Sequence, residues 1–380
     1  MSSGLVHPDF GNVTEVLRKV TAHRLGGGGA VAVMHRGELV VDAWIGPRDR
    51  AGNDWTRETV AMSFSTTKGV LATVVHRLRD RGLVEYDAPV SKYWPEFAQA
   101  GKDDITLRHL LNHSAGMHRL RGVIPDAAML LDWDATCAAL AAAPAAWSPG
   151  SRHGYHAVTY GFLVGEVVRR VTGLTVSEAI RVEVCEPLGI DAPEMTVGRL
   201  PEQRGELAEL LIDLDRGAMS RRGFARVERF RRFEAMLDAF IVPGFETVLG
   251  GDRVYEAEVP ALNGCFTARA LATMYAATIE GDGFVSEDTM RVATEQQTTA
   301  RDEVVLFPMR WRLGYHMAAT LRGVLPHGFG HFGFGGSGAW ADPDSQLAVA
   351  FVCNRVAGSP FGDQRFLRLG TAALKAARRR

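Results

Sequence analysis

The sequence predicts an α+β protein: an antiparallel sheet built from both ends of the chain, flanked by helices, with a mostly helical stretch inserted between them. Strand-like runs are concentrated near the two termini. From about Ser91 to Pro243 the periodicity is mostly helical. At 380 residues the chain is long enough for one large or two interleaved units with a substantial core. The expected division is residues 1–90 with 244–380 as a discontinuous α/β part and 91–243 as the helical insert. A crevice between the two is a natural ligand site.

The elements follow in order. An amphipathic helix fits Val13 to Thr21, and a glycine run at Gly26 to Gly29 leads into the strand-like Ala30 to Met34. His35-Arg36-Gly37 turns the chain into a second strand, Glu38 to Trp44, giving a hairpin. Val70, Leu71, Val74, Val75 and Leu78 mark one apolar helical face, weakened slightly by Gly69. Further helices are expected at Leu107–Asn112, Ala127–Ala142, Thr159–Thr172, Val176–Glu186 and Gly223–Phe240. Near the C-terminus, Ala339-Trp340-Ala341 precedes the turn signal Asp342-Pro343-Asp344-Ser345. The apolar strand Leu347 to Cys353 and a final helix, Gln364 to Ala377, follow.

Composition excludes several classes of function. The formal charge is −1, so no global basic field draws the chain to nucleic acid or an anionic membrane. The basic end Arg378-Arg379-Arg380 reads as a solvated tail. Cys137, Cys185, Cys265 and Cys353 form no C-x-x-C pair, and their apolar neighbours suggest buried, reduced thiols. The N-terminus lacks a basic segment followed by an apolar one, and no run approaches a membrane span. The expected location is cytoplasmic, without stable membrane association.

The chemistry concentrates in Ser65-Thr66-Thr67-Lys68. Ser65 falls at a predicted helix N-terminus, where unpaired N–H groups favour negative charge, and Lys68 projects from the same face three residues on. A neutral lysine amine can take the serine proton, and the Ser65 amide can face a substrate oxyanion. The plainer alternative is a serine cap followed by a solvated lysine.

Other segments offer candidates with structural alternatives. Pro149 to His156 is a Gly-containing polar loop. Its Tyr155 can relay protons if a neighbouring ammonium lowers its pKa; a structural loop aromatic is the other reading. His153 and His156 read as surface histidines. His327 to Trp340 carries six glycines in fourteen residues, consistent with a sheet edge presenting backbone N–H groups to a ligand. Its four aromatic residues argue against a floating loop. Within it, Gly335-Gly336-Ser337-Gly338-Ala339 nearly matches G-x-S-x-G, but Ala339 breaks the pattern. Leu107 to Gly116 reads as a helix with a polar cap; His113 and Ser114 there are read as structural. Gly223 to Phe240 is a basic amphipathic helix, with core packing as the default and a lid over an acyl pocket as the sharper reading.

Together these segments resemble the serine β-lactamase and penicillin-recognising family, most of all its class C-like esterases, the family VIII carboxylesterases. Ser65-Thr66-Thr67-Lys68 matches S-x-x-K. Tyr155-His156-Ala157 matches Y-x-N at its tyrosine only, and His331-Phe332-Gly333 looks like the K-T-G or H-T-G strand motif. The resemblance implies a β-lactamase/transpeptidase-like fold with the site between its two parts. It implies Ser65 as the acylated nucleophile, Lys68 as its base and Tyr155 as the proton relay. The N–H groups of Ser65 and Phe334 would form the oxyanion hole, with His331 and Gly333 lining the substrate site.

Two departures shape the expected substrate. Ala157 stands where the family's asparagine holds a β-lactam amide, and His331 where its lysine helps bind a carboxylate. Uncharged, short-chain carboxylic esters suit such a site better than β-lactams. The expected protein is a serine hydrolase on small-molecule esters, with no metal or organic cofactor. A transacylase, a D-amino-acid amidase or peptidase, weak β-lactamase activity and a catalytically inactive binding homologue are the alternatives. Oligomeric state stays open.

Overall fold

The structure is a computed structural model that describes residues 3–22, 26–200, 206–212, 234–281, 283–356 and 363–380. From the N-terminal end come β1 (Ser3–Val6), β2 (Gly29–His35) and β3 (Glu38–Ile45). Short strands follow: β4 (Ala61–Met62), β5 (Met195–Val197), β6 (Leu211–Ile212) and β7 (Gly264–Phe266). The C-terminal end supplies β8 (His316–Thr320), β9 (Gly323–Phe332), β10 (Gly338–Asp342), β11 (Leu347–Cys353) and β12 (Arg355–Val356).

Seven of these make one antiparallel sheet in the order β1-β3-β2-β11-β10-β9-β8. The two ends of the chain meet at β2 and β11, paired from Leu347 opposite His35 to Cys353 opposite Gly29. The expected hairpin is present: Arg36 and Gly37, at φ 53° and 77°, form a two-residue loop whose twist matches that of the strands.

Side-chain alternation sorts the sheet's two faces. Ala30, Ala32, Ala348 and Ala350 point toward the helix Ala268–Ala277, in the core cluster that also holds Val70, Val74 and Leu78. Val31, Val33, Val349 and Phe351 point the other way, against α1 (Gly11–Thr21) and the C-terminal helix Arg365–Ala377. The alanine face lets a helix lie close, and the bulky face fills the wider gap on the far side. Helix Ala268–Ala277 carried no expectation from the sequence.

Several expectations need correction. The stretch Ala127–Ala142 is two elements, a 3-10 turn Ala127–Leu131 and a helix Trp133–Ala142. Asp132 separates them because its extended backbone lets its carboxylate cap the second helix at the Ala135 N–H. The glycine-rich strand β9 is not the sheet edge, since β8 lies outside it. Of the expected amphipathic helix, Glu234–Phe240 is helical; residues 223–233, including Phe230 and Phe233, lie outside the described residues. β5, inside the predicted insert, pairs with β7.

Candidate active site

Ser65 caps the N-terminus of α2 (Thr66–Asp80), and Lys68 follows one turn later. Ser65 is half-buried; Lys68 is fully buried. The Lys68 Nζ lies 2.9 Å from the Ser65 Oγ, 2.6 Å from the Ala157 carbonyl oxygen and 3.4 Å from that of Ala261. Burial drives the Lys68 pKa well below its ordinary value. A neutral amine has two N–H donors and one lone pair. The two carbonyls take the donors, which leaves the lone pair for the Ser65 hydroxyl proton.

Local backbone explains how the serine is held out. Phe64, just before it, sits at φ 48°, a left-handed conformation that costs a bulky residue about 1–3 kcal/mol. Its buried ring meets Phe334 edge-on at 5.6 Å. Two glycines admit the neighbouring elements. A side chain at Gly69 would collide with the Tyr275 hydroxyl, and one at Gly333 with the Ser63 carbonyl. Gly69, a weak point in the helical pattern, is therefore the place where α2 passes under the end of β9.

Tyr155 is buried beside this pair, with the Lys68 Nζ 5.0 Å from its ring centroid. The condition set for its relay role, a pKa lowered by a neighbouring ammonium, is not met. Burial raises the pKa, and a hydrogen bond with Ser65 only partly opposes that. With Lys68 neutral, no ammonium stands there to stabilise a phenolate, so Tyr155 is a neutral hydroxyl.

Asp302 and Trp311, which carried no expectation, and His113 hold Tyr155 in place. Fully buried Asp302 accepts hydrogen bonds from the N–H groups of Tyr155 (3.2 Å), Val304 and Val305 and from the Trp311 indole (2.8 Å). Trp311 stacks on the Tyr155 ring at 5.4 Å and 15°. On another side lies His113, at φ 62°, whose ring is 5.1 Å from that of Tyr155. The His113 Nδ1 accepts from the His156 N–H, and its carbonyl from that of Gly154, so the loop bearing Tyr155 is pinned to it. His156 is buried, contrary to the surface reading, and its Nε2 accepts from the Met117 N–H.

The end of β9 closes the site. His331 is buried, and its Nδ1 donates to the Phe332 carbonyl at 3.1 Å. Burial, with smaller contributions from His316 and Lys68, holds its pKa well below the usual value, so it is neutral. Its Nε2 has no partner among the described residues. Gly333 donates to the Ser337 carbonyl, while the N–H groups of Ser65 and Phe334 have no acceptor among the described residues. A half-buried serine beside a buried lysine, a tyrosine hydroxyl and two free backbone donors can together carry out acyl transfer.

The sequence profile of the Beta-lactamase family matches residues 15–373. The chain belongs to the beta-lactamase family. The esterase/beta-lactamase LipL of Mycobacterium tuberculosis is 38% identical over 365 residues, covering 93% of this chain and 83% of LipL. A crystal structure of a family VIII carboxylesterase superimposes with a TM-score of 0.86 at 34% identity, covering 100% of this chain and 99% of the other. A penicillin-binding protein homologue from Caulobacter crescentus gives 0.84 at 32% identity, with 98% and 100% covered. The β-lactamase/transpeptidase-like fold expected from the sequence is thus the fold of this family member.

Other serines in this beta-lactamase family chain are engaged elsewhere. The Ser337 Oγ accepts from the Cys353 N–H at 3.2 Å, and the Ser114 Oγ donates to Asn112 at 2.6 Å. A crevice of about 690 Å³ lies next to Asp302, walled by Arg119, Arg152, Arg301, Glu234, Asp238 and Glu303; Ser65, Lys68 and Tyr155 do not line it. No helix among the described residues is long and apolar enough to cross a membrane, and all four cysteines are buried and unpaired.

Proposed function

We propose that this chain is a serine carboxylesterase acting on short-chain, uncharged small-molecule esters through an acyl-enzyme on Ser65. One observation carries the reading: a fully buried Lys68 whose two carbonyl partners leave its lone pair beside the Ser65 hydroxyl. Lys68 takes the proton as the Ser65 Oγ attacks the ester carbonyl. The free N–H groups of Ser65 and Phe334 receive the developing oxyanion; losing one such donor typically costs about 10²–10³ in rate. Tyr155, hydrogen-bonded to Ser65, passes a proton to the departing alcohol and later helps draw one from the attacking water. Gly333 lets the strand end approach, and neutral His331 lines the substrate side.

The substrate class follows from what lines the cleft. His331 offers a neutral nitrogen where a carboxylate would want a cation, and Ala157 brings only its backbone carbonyl. Phe64 and Phe334 supply an apolar border. The names esterase and carboxylesterase borne by the similar proteins support the same reading. We further propose the division into 1–90 with 244–380 and 91–243, and a cytoplasmic location, which the four unpaired thiols support.

Intact-protein mass spectrometry after mixing with p-nitrophenyl butyrate and, separately, nitrocefin tests the reading. The expected result is a transient butyryl adduct mapped to Ser65 with release of nitrophenol, and slow or absent nitrocefin turnover. Fast nitrocefin turnover would overturn the substrate class. The absence of any adduct would overturn the esterase reading.

A further inference from the structure

β8 ends its backbone pairing with β9 at His316 opposite Gly330, and the chain before it turns away, with Gly314 at φ 77°. β9 continues past that point. N–H groups along a strand alternate in direction, with a period of two. Gly333 donates toward β10, to the Ser337 carbonyl, so Phe332 directs its N–H to the side that β8 has vacated, and Phe334 follows in the turn just beyond β9. No β8 carbonyl is left for Phe332. Its N–H donates instead to the His316 Nε2 at 3.0 Å.

We infer that His316 is a positioning residue that extends the sheet ladder by one side-chain hydrogen bond and so fixes the strand end presenting the Phe334 N–H and His331 to the substrate. The inference rests on the oxyanion-hole reading above. His316 is buried, and its Nδ1 donates to the Met317 carbonyl at 2.8 Å, which leaves Nε2 as the acceptor that Phe332 needs. Its ring packs edge-on against His331 at 4.6 Å and Phe332 at 4.7 Å, on both sides of the bond it makes. Burial holds its pKa down to about 4, so it stays the neutral acceptor at the pH of an esterase assay. The site uses His316 through geometry alone: no proton moves on it.

The test compares wild type, His316→Phe and His316→Gln on p-nitrophenyl butyrate, with inhibition by butylboronic acid as a tetrahedral mimic. Phe keeps a ring against His331 and removes the acceptor; Gln restores an acceptor oxygen. His316→Phe is expected to lower kcat by about 10- to 100-fold, a fraction of what losing the oxyanion donor itself would cost. KM should stay within about threefold, boronate affinity should fall with kcat, and His316→Gln should recover most of the loss. If His316→Phe does not fold, His316→Asn, too short to reach Phe332, should show the same loss. A folded variant with unchanged kcat, or a loss confined to KM, would overturn the inference while the wild-type Ser65 adduct keeps the parent reading intact. Absence of that adduct in wild type would remove both.

Discussion

Two lysines are buried in this molecule, and they are built for opposite tasks. Lys68 lies beside Ser65 with two carbonyl acceptors. Lys102, 1% exposed, has three: Gln99 at 2.7 Å and Ala141 and Ala143 at 2.6 Å. The last two sit at the C-terminus of helix Trp133–Ala142, where the helix dipole favours a cation, and the Phe97 ring lies 5.1 Å from the ammonium. Three acceptors use every N–H of a charged ammonium, while two leave a neutral amine with a lone pair to spare. Burial lowers both pKa values, Lys102 to about 8 and Lys68 well below its ordinary value. Desolvation alone therefore does not make a base. The third oxygen differs: around Lys102 it is another carbonyl, around Lys68 the Ser65 hydroxyl, which can give up a proton.

The largest effect should come from the nucleophile and its base. Ser65→Ala and Lys68→Met should each lower ester turnover by about 10⁴-fold or more, on the scale of removing a member of a catalytic unit. Their folding should diverge from their activity: Lys68→Met relieves a desolvated amine but strips the Ala157 and Ala261 carbonyls of their donor, so its thermal midpoint should fall less than that of Lys102→Met. A midpoint that fell sharply in Lys68→Met would mean that Lys68 is a structural cation like Lys102. Next comes Tyr155→Phe, which keeps the stack on Trp311 and removes the hydroxyl. Its kcat should drop by about 10²–10⁴-fold; near-normal turnover would take the relay away from Tyr155.

Lys102→Met reverses the pattern. Three carbonyls, two of them buried, would lose their donor, and breaking such a site costs about 3–5 kcal/mol. Denaturant titration should show that loss, while turnover per folded molecule stays close to wild type. A large fall in turnover without loss of stability would sink the division of labour between the two lysines.

The contrast also explains what the sequence could carry. Ser65 and Lys68 were legible because their spacing on one helix fixes their geometry locally, and Thr159–Thr172 was legible because its periodicity is unbroken. Strands β2, β3, β10 and β11 were legible because each is short, apolar and bounded by turn residues such as Gly37; β1 and β8 carried no expectation. Asp302, Trp311 and His316 were not legible. They act through contacts that local spacing does not reveal: Asp302 meets Tyr155 from 147 residues away, and Trp311 and His316 bond partners across a loop and a strand end. Tyr155 was singled out, but the condition of a pKa lowered by a neighbouring ammonium does not hold: burial raises it, and sequence spacing shows neither that burial nor that of Lys68. Glu234–Phe240 shows the limit of periodicity for function: the apolar spacing marks a helix but not that Phe240 lies 6.0 Å from the Tyr155 ring.

The smallest and sharpest contrast is in pH. Lys68 acts only when neutral, so kcat/KM should be present above its pKa and lost as pH falls through it, a limb lying well below the ordinary lysine range. A limb near pH 10 would show that Lys68 is charged and that the amine lone pair is not available to Ser65. For Lys102 the readout is stability. Its folded pKa, about 8, lies below its unfolded value, so between those two pH values the unfolded chain holds more protons than the folded one. Folding stability attributable to Lys102 should therefore rise as pH climbs from about 8. Lys68, held well below its ordinary value by burial, adds a rise of the same sign, so each Met variant should flatten the slope by its own share. A slope left unchanged by Lys68→Met would show that Lys68 keeps its ordinary charge in the fold.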